Sequence, residues 1–215
     1  MRRFMTVPLA GLVALAVAAP VAAGPNVGNY SSSLTMAQAT WDSWDEATGA
    51  YSSGYIAISQ EQGSPDAFAE YSSYSQQYVQ CTGEETPENP DDDTFGVVGS
   101  NTWGWGPASL TTGKNFGSAS ASGDLSIGRE QFNECTGEWT FEELPGVQFD
   151  LDLTATSGTI RESSRGSFHL PGEFNSHSSY KATYRYADGT LSGIDGTQSV
   201  SGLIGKVSWM DHANG

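Results

Sequence analysis

Val147-Gln148-Phe149-Asp150-Leu151-Asp152-Leu153-Thr154-Ala155 is the stretch that decides the fold class. Apolar side chains fall on every second residue, with Gln148, Asp150, Asp152 and Thr154 between them. Side chains of a strand alternate between two faces, so the stretch reads as a strand with one dry and one wet face. The same alternation returns later in the chain. Tyr180, Ala182, Tyr184 and Tyr186 share one face, with Lys181, Thr183 and Arg185 opposite.

Working outward, turn dipeptides cut the chain into short alternating runs. The pair Ser157-Gly158 predicts a hairpin over 147–169. Pro171-Gly172 and Asp188-Gly189 predict the next two turns, and a last strand pair is expected over 190–195 and 198–209. Upstream, strands are predicted over 34–44 and 50–61 about the turn Glu46-Ala47-Thr48-Gly49. Gly63-Ser64-Pro65-Asp66 turns into a further strand over 68–81, and two more are expected over 95–105 and 116–132. Residues 66–81 also fit a helix, because Ala67, Phe68, Tyr71, Tyr74 and Tyr78 have roughly helical spacing. The serines and β-formers around them favour a strand. No long helical periodicity occurs elsewhere. The expected fold is all-β, an antiparallel sandwich or meander barrel.

The first residues carry the three parts of a secretory signal peptide. Arg2 and Arg3 are a positive start, 7–17 is an apolar run, and Val21-Ala22-Ala23 places small residues before Gly24. Residues 1–23 are therefore expected to be removed, leaving 24–215 as one β-rich domain exported to the cell exterior. The apolar run is short for a membrane span, which needs about 20 residues, and none is expected in the mature chain.

The chain is strongly acidic, with a net charge of −16. Of its 9 basic residues, Arg2 and Arg3 leave with the signal, so 7 face 25 acidic ones and the mature charge is −18. Nucleic acids and anionic membranes are thereby excluded as partners, since both need a basic patch. Acidity of this kind serves solubility. The 2 cysteines, in an exported chain, are expected to pair as Cys81–Cys135. A short repeat surrounds them: 77–84 and 131–138 match at Gln, an aromatic, Cys, Thr, Gly and Glu.

Motifs with specific chemistry are sparse. Asp150 and Asp152, two residues apart on a strand, stand about 6.5–7 Å from each other, in the general range of glycosidase carboxylates. They are weak catalytic candidates, because they oppose the apolar face. Asp91, Asp92 and Asp93, with Glu84, Glu85 and Glu88, are weak candidates for Ca²⁺, a cation that collects oxygen ligands. No other cofactor is expected. His169 and His177, with Glu173, are the elements of a weak transition-metal site. There is no Gly-x-Ser-x-Gly nucleophile elbow.

The aromatic residues are the most suggestive feature, with 6 Trp and 9 Tyr. Trp103-Gly104-Trp105 and the pair Tyr184 and Tyr186 are the candidate ligand-binding residues. Aromatic rings exposed on a sheet stack on sugars and mark a binding surface.

The run Ala39-Thr40-Trp41, the mid-chain Cys135, the run Leu153-Thr154-Ala155-Thr156 and the segment Arg161-Glu162-Ser163-Ser164-Arg165-Gly166 carry a resemblance. On them the chain resembles small exported all-β proteins of high-GC Gram-positive bacteria. The resemblance implies export and a β-rich fold, and it brings no activity and no site residues. The function expected from the residues is a non-enzymatic exported module that binds a glycan or another cell-surface component. A polysaccharide-acting hydrolase and a purely structural or interaction protein are the alternatives.

Overall fold

A computed structural model of the chain describes residues 28–81, 95–170, 174–194 and 196–214. The signal segment 1–23 and the acidic run 84–93 lie outside the described residues, as do Pro171, Gly172 and Glu173.

The described chain is a single antiparallel sheet. Its strands are β1 (Gly28–Asp45), β2 (Ala50–Glu61), β3 (Ala67–Gln80), β4 (Phe95–Thr112), β5 (Ser118–Asn133), β6 (Glu138–Ala155), β7 (Ile160–Leu170), β8 (Phe174–Ser192) and β9 (Thr197–Asn214). A 3-10 turn, Lys114–Phe116, joins β4 to β5. Along the sheet the order is β6-β5-β4-β3-β2-β1-β9-β8-β7, and β6 also pairs with β8. That last pairing closes the sheet into a meander barrel, the second of the two expected architectures. Within 66–81 the chain forms strand β3, Ala67–Gln80, so the helical alternative is corrected: Ala67, Ala69 and Tyr71 are buried in the barrel.

Closure follows from the alternating pattern. The inward residues Ala37, Ala39, Ile56, Ile58, Phe149, Leu151, Leu153, Leu191 and Ile204 form one buried cluster. Burying one of its Ile, Leu or Phe side chains stabilises by about 1.5–3 kcal/mol. Gln148, Asp150, Asp152 and Asp188 point outward and are exposed. The dry and wet faces read from 147–155 are therefore the inside and outside of the barrel.

Two predicted turns are not turns. Strand β6 does not fold back at Ser157-Gly158 to pair with β7. Both strands run in the same direction against β8, one after the other, with Ala155 opposite Ala187 and Ile160 opposite Tyr184. Residues 156–159 are a bulge in that line. The Thr156 N–H donates to the Tyr186 carbonyl at 2.8 Å, and the Tyr186 N–H donates to Ser157 Oγ at 2.8 Å. A two-residue hairpin needs positive φ in its turn, and Gly158 does not have it.

Asp188-Gly189 likewise lies inside β8, which runs on to Ser192. The chain reverses later, between Gly193 (φ 99°) and Gly196 (φ 100°), and β9 then covers Thr197–Asn214 rather than 198–209. Gly189 serves the seam instead. A Cβ there would collide with the Asp152 carbonyl of β6. Its absence lets the two strands meet.

The barrel is strongly sheared. Strands β1 to β6 extend beyond the closed waist at one end, and β7, β8, β9 and the start of β1 extend at the other. At the first end the Cys81–Cys135 disulfide ties the end of β3 to the turn after β5. It lies over Gly96 of β4, where a Cβ would stand 2.8 Å from both sulfurs.

Candidate functional site

The extension of β1 to β6 has an outer and an inner face, and strand register fixes what each displays. One outer rung runs Trp44, Tyr51, Gln76, Gly99, Phe132, Trp139, each residue directly opposite the next. With strands about 4.8 Å apart, the rung runs about 24 Å around the curved sheet from β1 to β6. Phe132 is buried and packs on Trp139, with ring centroids 5.2 Å apart. Glycine makes this possible: a Cβ on Gly99 would come within 2.7 Å of Phe132 Cζ.

The next aromatic pair repeats the device. Trp103 lies over Gly128, where a Cβ would stand 3.0 Å from its indole. The Trp103 ring then stacks on Phe141 at 6.0 Å. These rings lie on the outer wall, which curves with the barrel. Trp139 is 62% exposed and Trp105 is 55% exposed, and Trp44, Tyr78, Phe95 and Phe141 are exposed elsewhere on the same strands.

Of the residues selected from sequence, Trp103 and Trp105 belong to this wall, Trp103 as a half-buried support and Trp105 as an exposed ring. Tyr184 and Tyr186 do not join them. They sit on the outer face of β8, on the other side of β5 and β6, and contact each other edge-on at 5.8 Å. The Tyr184 hydroxyl donates to Glu162 Oε1 at 2.6 Å, and that carboxylate raises the Tyr184 pKa. Trp44, Phe132, Trp139 and Phe141 were missed in the sequence. A signal for them exists. Trp44-Asp45-Glu46-Ala47-Thr48-Gly49 and Phe132-Asn133-Glu134-Cys135-Thr136-Gly137 share an aromatic, an Asx, Glu, Thr and Gly in register.

The two copies fold alike. Gly49 N–H donates to the Asp45 carbonyl and Gly137 N–H to the Asn133 carbonyl, both at 2.8 Å. Both glycines have positive φ, 66° and 70°. Asp45 Oδ1 accepts from the Ala47 N–H at 2.9 Å, as Asn133 Oδ1 accepts from the Cys135 N–H at 3.0 Å. The Ala47 N–H and the Thr48 hydroxyl hold the Asp45 carboxyl below its ordinary pKa. The repeat seen around the cysteines thus extends to the β1–β2 hairpin.

The inner face of the same strands is a cleft of about 610 Å³. Its floor is another rung, Ser43, Ser52, Ser75, Ser100, Gln131, Thr140. Ser43 and Ser52 hydrogen-bond at 2.7 Å, and Ser75 and Ser100 at 2.9 Å. Asp45 and Glu138 stand at opposite ends of the neighbouring rung, on β1 and β6, and both line the cleft.

Asp150 and Asp152 are exposed on the outer wall at the seam. Asp152 Oδ1 accepts from the Ser120 hydroxyl at 2.7 Å, and neither carboxylate lines the cleft. The metal candidates Asp91, Asp92 and Asp93 lie outside the described residues. Among the described residues no group of three His, Cys, Asp or Glu side chains is placed to hold an ion, and no helix is long and apolar enough to cross a membrane. No family model, curated protein or solved structure matches this chain.

Proposed function

We propose that the protein is an exported, non-enzymatic binding module whose ligand is an extended glycan at the cell exterior, held on the outer aromatic face of β1 to β6. One observation carries this reading: Trp139 and Phe141 stand exposed over the supporting rings of Phe132 and Trp103, and Trp44 is exposed at the far end of the Trp139 rung. Ring faces attract the C–H faces of sugars through dispersion and apolar burial. Rings fixed by packing lose little freedom on binding, which favours affinity. The charge of −18 left without Arg2 and Arg3 disfavours anionic polymers, so the ligand is a neutral polysaccharide. The hydroxyl and amide floor of the inner cleft supports the same ligand class, because sugar hydroxyls both donate and accept.

Cosedimentation of the mature protein with insoluble neutral polysaccharides tests the proposal. Depletion from the supernatant is expected with at least one polymer, reduced at least tenfold in a Trp44→Ala/Trp139→Ala variant. Equal depletion by wild type and variant would overturn the placement, and none with any polymer would overturn the ligand class.

A further inference from the structure

All 3 histidines of the chain fall on the strands at the far end of the barrel, away from the aromatic wall. His177 of β8 is directly opposite His212 of β9. His169 of β7 is opposite Asn175, two residues from His177 along β8, and its Nδ1 bonds the Asn175 side chain. Alternation puts His169, His177 and His212 on one face of the sheet, the face continuous with the barrel interior. The side chains of His177 and His212 are exposed. Met210 shares their face, two residues before His212, and is also exposed.

We propose that His177 and His212 form a two-nitrogen site for a copper(II) ion, with water at the remaining positions. Directly opposed side chains in an antiparallel pair have Cβ atoms about 4.5–5.5 Å apart. Two imidazoles at that separation can turn to one ion with metal–nitrogen bonds of about 2.0–2.1 Å. Copper(II) is the divalent first-row metal that nitrogen ligands hold most tightly. The thioether of Met210 is a soft neighbour that copper tolerates and calcium or magnesium does not seek. The negative charge of the chain draws cations to the surface, which aids capture without selecting the metal. The sequence paired His169 and His177 with Glu173. Glu173 lies outside the described residues, and the register brings in His212, 35 positions beyond His177 by number.

Titration of the mature protein with copper(II) ions, followed by electron paramagnetic resonance, tests the site. One ion per chain with nitrogen hyperfine structure is expected. His212→Asn and His177→Asn are each expected to weaken binding at least tenfold, and the double variant to leave only oxygen-bound copper. Circular dichroism of the variants is expected to match wild type, since both side chains are exposed. An unchanged nitrogen signal in the double variant would overturn the proposal, as would an oxygen-only signal in the wild type. His169→Asn separates a third ligand from a neighbour: loss of one nitrogen coupling would enlarge the site, and no change would leave it as the pair.

Discussion

Phe132 lies across Gly99 of the adjacent strand and carries Trp139 on its other side, at 5.2 Å between ring centroids. The glycine is a seat for the ring, and the ring a support for the exposed indole. Gly99→Val is therefore expected to destabilise the protein by about 1–3 kcal/mol through overpacking. Urea denaturation measures the loss. Lifting Phe132 should also shift the tryptophan emission of the folded protein, whereas a change on an open surface would do neither.

The Cys81–Cys135 bond closes a loop of 54 residues. Its reduction is expected to lower stability by about 2–4 kcal/mol, with the far-ultraviolet β signature retained. Denaturation with and without a reductant gives the difference. Loss of all β structure on reduction would mean that the barrel waist cannot fold without the tie.

Tyr55 donates to Glu70 Oε1 at 2.9 Å. Burial, followed by that hydrogen bond and the carboxylate charge, pushes its pKa up to about 12 from 10.0. The folded state thus holds the phenolic proton more tightly than the unfolded chain. The resulting stability is present in full below about pH 10 and is lost as the pH rises through 12. Tyr55→Phe is expected to flatten that part of the stability curve, measured by denaturation at stepped alkaline pH. An unchanged curve would contradict the assignment.

Leu151 is buried between Ala121 of β5 and Leu191 of β8, at the seam of the barrel. Leu151→Ala is expected to cost about 2–5 kcal/mol, while Asp150→Ala, one residue away on the exposed wall, should stay within about 0.5 kcal/mol. Thermal melts of the two variants check the inside–outside assignment.

Much of this architecture is legible in the residues. The alternation in 147–155 gave the strand and its buried face, and 50–61 coincides with β2. Ser157-Gly158 and Asp188-Gly189 misled because a glycine dipeptide has two uses. It can reverse a chain through positive φ, or it can admit a bulge or a close neighbour, as Gly189 admits the Asp152 carbonyl. Only the partner strand decides between them. The aromatic wall was half legible for a related reason. Trp103 and Trp105 advertise themselves by adjacency, but Trp44, Phe132 and Trp139 share a rung only through successive strand pairings whose partners stand up to 33 positions apart by number. The histidine pair is likewise a product of register, joining 177 to 212.

The proposed binding of a glycan to the outer wall of β1 to β6 is tested most directly by a tryptophan-fluorescence titration of the mature protein with soluble neutral polysaccharides. A saturable emission shift is predicted, abolished in Trp44→Ala/Trp139→Ala and weakened in Trp105→Ala, but kept in Tyr184→Phe/Tyr186→Phe. No shift with any polymer, or a shift indifferent to Trp44 and Trp139, would contradict it.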